Sequence, residues 1–246
     1  AFQTHNSNFN ILYNHMFILG IILFIILLLC IQVYNSKIYK PCKKCTPNEY
    51  FIFDVKQPPS YYKEELYNQL KNGTQLKNEK NFNAVQGVKI DKNKIPKEIK
   101  EFFLNEELRE KVGELVGENV DFADDIEKYK IFARLYEHNG DHIDWHYDNN
   151  YTAGNRYTLV IPIIQDVNNT SEFVIKDQKT QKEITVSLKV GQGVVYNGTV
   201  TYHKITPQTN GAIRMVVIIP FYSNKNMNVF NRVQMNVRNI LYKNLT

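Results

Sequence analysis

Three histidines and three aspartates crowd into the stretch His138-Asn-Gly-Asp-His-Ile-Asp-Trp-His-Tyr-Asp148. Two imidazoles and one carboxylate on one face of an octahedron form the ligand set that holds non-haem Fe(II) and leaves the other positions open. An HxD pair supplies two such ligands from one strand face, because side chains two apart point the same way. Two pairs compete, His142/Asp144 and His146/Asp148, and in a regular strand all four side chains share a face. Spacing alone does not choose between them. The third ligand must arrive from a distant strand, and His203, just after the β-rich run GVVYNG, is the candidate. Eleven residues later Arg214 opens the apolar run RMVVIIPFY. A guanidinium at the head of a buried strand needs an anion, since an unpaired charge there is costly. Its forked donors suit a dicarboxylate ligand; the competing assignment is a protein carboxylate.

These residues need a β scaffold. The runs KIFARLYE, RYTLVIPII, EFVIKD, KEITVSL, GVVYNG and RMVVIIPFY, separated by Asn, Gly, Asp and Thr, read as strands. Six strands in the C-terminal half predict a small β-sandwich or barrel with helices packed outside it. Ahead of them, SYYKEELYNQL predicts a helix with a Ser cap. The stretch from Pro96 to about Val116 predicts a second, with Pro in the first turn and Ile99, Phe102, Phe103, Leu108, Val112 and Leu115 at helical spacing. Gly113 and Gly117 weaken its end.

The 246 residues are 43% hydrophobic with 11 Gly and 8 Pro, enough apolar surface for a core and too little Gly and Pro for a collagen-like or disordered chain. The formal net charge of +5 comes from lysines scattered among acids and tyrosines, which fits a solvated basic surface rather than a nucleic-acid face. The segment 16–33, MFILGIILFIILLLCIQV, carries no formal charge and predicts a transmembrane helix, with a buried core helix as the competing account. Lys37, Lys40, Lys43 and Lys44 follow it and no Lys or Arg precedes it, so the positive-inside rule faces the C-terminal bulk to the cytosol. Secretory-lumen orientation is the alternative. Cys30, Cys42 and Cys45 are the three cysteines, so the bulk of the chain holds no disulfide framework or thiolate metal site. Cys42-Lys-Lys-Cys45 lacks a second pair to close a zinc site, leaving lipidation or chance.

The sequence also resembles a known family, the 2-oxoglutarate- and Fe(II)-dependent dioxygenases of the double-stranded β-helix (jelly-roll, cupin-like) fold, in the prolyl and lysyl hydroxylase branch. The resemblance covers roughly 128–222. It rests on Tyr136 with Gly140 ahead of the HxD, His146-Tyr-Asp148, the strand Arg156-Tyr-Thr158, GQGVVYNG from Gly191, His203-Lys-Ile-Thr-Pro207 and Arg214. In that family a Tyr about ten residues before the metal-binding His lines the cosubstrate pocket. Tyr136 stands ten before His146, so the resemblance selects His146/Asp148. It implies that His146, Asp148 and His203 hold the metal, that Arg214 takes the distal carboxylate of 2-oxoglutarate, and that Thr158 hydrogen-bonds the cosubstrate. It further implies ascorbate as an accessory and a protein or peptide substrate, prolyl first and lysyl next.

The implied organisation is a tail (1–15), a transmembrane helix (16–33), a juxtamembrane linker (34–59), a helical part (60–125), the β-helix core (126–224) and an extension (225–246). Two departures matter. The Gly-Gly turn that usually precedes the later strands is replaced by Asn168-Asn-Thr-Ser-Glu-Phe173. The second Arg that nucleic-acid demethylases carry six residues after the first is replaced by Pro220, which disfavours base demethylation. The alternatives from other classes are an inactive membrane-tethered β-helix scaffold and a cupin-like isomerase, which has no call for Arg214.

Overall fold

The computed structural model describes residues 18–21, 23–24, 49–72, 74–76, 87–90, 95–123, 130–227, 229 and 231–236. The chain divides into two units, Ala1–Lys44 and Cys45–Thr246. In the first, the described residues of 18–24 are helical, and the rest of the predicted span 16–33 lies outside the described residues. Among the described residues no helix is long and apolar enough to cross a membrane.

The second unit is built on antiparallel strands. β1 (Tyr50–Asp54), β2 (Thr74–Leu76), β3 (Gly87–Ile90), β4 (Asp121–Phe122), β5 (Phe132–Tyr136), β7 (Arg156–Gln165), β10 (Gln192–Asn197) and β12 (Arg214–Tyr222) form one sheet. Its order is β1-β10-β7-β12-β5-β3-β2, with β4 on β12. β6 (Ile143–His146), β8 (Phe173–Lys176), β9 (Glu183–Val186) and β11 (Tyr202–Ile205) form a smaller sheet ordered β6-β11-β8-β9. This is the mainly β jelly-roll the sequence predicts, with flanking helices α1 (Ser60–Lys71), α2 (Lys97–Phe103) and α3 (Glu106–Val116).

The long strands β7 and β12 are nearly continuous apolar runs because both faces of their sheet are covered. On one face Leu159, Ile161, Met215, Val217, Ile219 and Phe221 pack against Leu66 and Leu70 of α1, Ile99 and Phe103 of α2, and Val112 of α3. On the other, Val160, Val194, Val216 and Ile218 meet Ile143, Phe173, Ile175 and Ile205 of the small sheet. Each such residue, fully buried, contributes roughly 1.5–3 kcal/mol. The inner face is where the polar exceptions gather.

Several local expectations need correction. The single helix expected over 96–116 is two helices. Asn105 ends the first and starts the second: its amide donates to the Phe102 carbonyl (2.6 Å), and its side-chain oxygen accepts from the Leu108 N–H (2.9 Å). Gly117 closes α3 in the left-handed region at φ 69°, a conformation cheap only for glycine. Pro59, not Ser60, precedes the first turn of α1, and no side chain caps it. Tyr50–Asp54, assigned to the linker, is an edge strand paired to β10. Within the part expected to be helical, β2, β3 and β4 extend the large sheet. In the C-terminal extension, residues 229 and 231–236 are helical.

Candidate metal centre

A β-bulge decides which HxD pair enters the barrel. His203 pairs with His146, and Ile205 pairs with Ile143, so three residues of β6 span two of β11. The extra residue resets the alternation. Ile143 and His146 both face inward, while exposed Asp144 and half-buried Trp145 face outward, Trp145 stacking on Tyr202 with ring centroids 5.2 Å apart. The rejected pair holds to itself: His142 Nδ1 bonds to the Gly140 carbonyl (2.5 Å), and its Nε2 lies 3.6 Å from Asp144 Oδ1. All four side chains therefore do not share one face, as a regular strand would require.

Inside, one potential ligand atom each from His146, Asp148 and His203 lies within 4.8 Å of the others. His146 Nε2 is 4.0 Å from Asp148 Oδ1. Each imidazole is oriented through its other nitrogen. His146 Nδ1 bonds to the Asp144 carbonyl (2.8 Å) and His203 Nδ1 to the Thr201 carbonyl (2.9 Å). A carbonyl only accepts, so Nδ1 carries the proton in both rings and Nε2 keeps its lone pair for the interior. Burial pushes both imidazoles down, His203 to about 4, so both are neutral at pH 7, the state in which histidine ligates a metal.

Asp148 is held ionised. Burial pushes its carboxyl up, but the charge of Arg156 and a hydrogen bond from Thr158 leave it well below the usual range. Arg156 Nη1 stands 4.0 Å from Asp148 Oδ1 and donates to the Asn149 carbonyl (2.5 Å). Thr158 Oγ1 donates to Asp148 Oδ2 (2.5 Å). The backbone behind it is clamped too, with the Asp148 N–H donating to the Gly198 carbonyl (2.8 Å) and the Gly198 N–H to the Arg156 carbonyl (3.1 Å). A Cβ at Gly198 would overlap Asp148 Oδ2 and sit 2.8 Å from Asp148 Cβ, so the carboxylate's position depends on that glycine.

The cavity these residues line has a volume of about 440 Å³ counting its open mouth. Arg214, at the head of β12, lies across from Tyr136 with its guanidinium 5.3 Å from the ring centroid. It is 3% exposed, and its Nη1 has no hydrogen-bond partner. A guanidinium stays charged even when burial lowers its pKa, as here, so this orphaned donor calls for an anion. Tyr196 places its hydroxyl 3.1 Å from His203 Nε2, and burial raises its pKa well above the usual value, so it donates to that lone pair, a bond that metal ligation by His203 would displace.

Of the residues singled out from sequence, Tyr136, His146, Asp148, Thr158, His203 and Arg214 all line this one cavity. Thr158 differs in its partner, because its hydroxyl is committed to Asp148 rather than open to a cosubstrate. Sequence reasoning missed Arg134, Arg156, Tyr196 and Gly198. Arg156 heads a buried strand as Arg214 does, and the same argument applied to it leads to Asp148. Arg134 is two residues from Tyr136 in β5 and shares its inward face.

Neutral imidazoles paired with a fixed carboxylate, open space beside them and a buried cation with one free donor fit Fe(II) with a chelating dicarboxylate. No protein-family model matches the chain, and no curated protein matches its sequence. Solved structures do match. The non-haem α-ketoglutarate-dependent epimerase SnoN from nogalamycin biosynthesis aligns with TM-score 0.54 and 11% identity over 70% of this chain and 76% of its own. The carbocyclase SnoK from the same biosynthesis aligns with TM-score 0.52 and 12% identity over 70% and 79%. A Pseudomonas putida prolyl-4-hydroxylase aligns with TM-score 0.49 and 12% identity over 72% and 93%. By its likeness to SnoN and SnoK, the chain has the double-stranded β-helix fold found in these non-haem α-ketoglutarate (2-oxoglutarate)-dependent enzymes.

Proposed function

We propose that this chain is an Fe(II)- and 2-oxoglutarate-dependent oxygenase that hydroxylates a protein side chain, prolyl in the first instance and lysyl in the second. The observation that carries the reading is the single cavity holding His146, Asp148 and His203 together with the buried, unpartnered end of Arg214. Bound there, the metal and its cosubstrate would supply, with dioxygen as the oxidant, the chemistry for an unactivated C–H bond: one oxygen atom would go to the substrate as hydroxyl and the other to the cosubstrate, which leaves as succinate and CO2.

The chain's own residues prepare that chemistry. His146 and His203 present neutral Nε2 atoms because backbone carbonyls hold their Nδ1 protons. Asp148 contributes charge from a position set by Thr158, Arg156 and Gly198. Arg214 binds the distal carboxylate of 2-oxoglutarate, and Tyr136 stiffens the guanidinium from its ring face. Phe132, Val160, Phe173 and Ile205 keep the inner wall dry, which strengthens every charged contact inside.

The substrate class rests on the sequence resemblance, as does a role for ascorbate. The anchoring rests on the sequence directly: the apolar segment 16–33 would tether the oxygenase to a membrane, facing the cytosol by the following lysines. The test is succinate release by the full chain with Fe(II), ascorbate and 2-oxoglutarate, beside His203→Ala. Turnover that disappears in the variant supports the reading. Absence of turnover together with absence of iron-dependent 2-oxoglutarate binding overturns it in favour of an inactive scaffold.

A further inference from the structure

The cavity holds more positive charge than the proposed reaction uses. Arg134 and Arg214 line it, Arg156 backs Asp148, and Asp148 is the sole acid among the lining residues. A divalent metal and a dianionic cosubstrate cancel one another, so loading the site leaves the surplus in place. Arg156 is spoken for by Asp148 and the Asn149 carbonyl, and Arg214 by the cosubstrate. Arg134 remains.

Arg134 sits on β5 between Phe132 and Tyr136, across from Val216 of β12. Its guanidinium lies 5.8 Å from the Phe132 ring centroid, a contact that supports the cation without neutralising it. Its Nε is buried without a hydrogen-bond partner. Asp148, the sole acid among the lining residues, is held by Arg156 and Thr158, so a neutral substrate would leave the buried Arg134 Nε without an anion.

The geometry points to Arg134 as a second anion-binding residue of the cavity, one that reads a carboxylate on the substrate: the oxidised prolyl or lysyl residue stands beside an acidic side chain. This rests on the oxygenase reading and narrows its substrate class. Specificity of this kind is strong, because a substrate lacking the carboxylate leaves the buried donor unpaired.

The experiment uses the full chain in detergent, loaded with Mn(II) in place of iron and with N-oxalylglycine as a non-reacting cosubstrate analogue. Two peptides of equal shape are titrated by calorimetry, acetyl-Pro-Asp-amide and acetyl-Pro-Asn-amide. The aspartyl peptide should bind at least tenfold tighter. Arg134→Gln should erase that gap and leave N-oxalylglycine affinity within twofold, and Arg134→Lys should keep part of it. Equal affinity, no detectable binding of either peptide, or a gap that survives Arg134→Gln overturns the inference. So does a loss of N-oxalylglycine affinity in Arg134→Gln, which would assign Arg134 to the cosubstrate. If that variant does not fold, the two peptides on the native chain decide alone. Failure of the native chain to bind N-oxalylglycine with Mn(II) would instead overturn the oxygenase reading, and this inference with it.

Discussion

The pairs His142/Asp144 and His146/Asp148 have the same residues at the same spacing, four positions apart, yet they meet opposite fates. Asp144 is exposed and His142 turns back on it and on Gly140. His146 and Asp148 enter the cavity and meet His203. Between the pairs lies the bulge at which three residues of β6 answer two of β11. What separates a metal site from a local contact between neighbouring side chains here is therefore register. The HxD spacing is necessary but silent about which way a strand faces.

The comparison can be broken most severely at the ligands. Asp148→Ala or His203→Ala should lower Fe(II)-dependent 2-oxoglutarate affinity by more than the roughly 10–100-fold typical of losing an outer partner, as anaerobic calorimetry would read. Gly198→Ala comes next. Its new Cβ would collide with the Asp148 carboxylate, so about 1–3 kcal/mol of stability should be lost on thermal melting, with metal affinity down roughly 10–100-fold. Thr158→Val removes one hydrogen bond to Asp148 while keeping shape and should cost about tenfold in metal affinity with little change in fold. The smallest effect belongs to the outward pair. His142→Ala should cost about 1 kcal/mol through its bond to Gly140, Asp144→Ala within about 0.5 kcal/mol, and neither should weaken metal binding by more than twofold.

Much of the fold could be read in advance because β7 and β12 are long apolar runs whose burial on both faces leaves a plain signal. β1 was harder. Its Tyr50-Phe-Ile-Phe-Asp54 is short and follows a proline- and lysine-rich stretch, so its strand character shows only in its pairing with β10. The break at Leu104–Asn105 did have a local signal, an Asn followed by two Glu at the start of α3, but continuous apolar spacing across it concealed the cap. At the site, ligand types and order were visible along the chain. The choice between the two HxD pairs needed either a family resemblance or the bulge, because a bulge is a property of two strands together. Arg156 and Arg134 were within reach of reasoning already in use: a charge that heads a buried strand, or shares the inward face of Tyr136, needs a partner.

The most direct test of the account is anaerobic titration of 2-oxoglutarate into the full chain with and without Fe(II), run in parallel on His146→Ala and His142→Ala. Binding should depend on iron in the native chain, be abolished in His146→Ala and be unchanged in His142→Ala. Binding that ignores iron, or that is lost in His142→Ala and kept in His146→Ala, would contradict it.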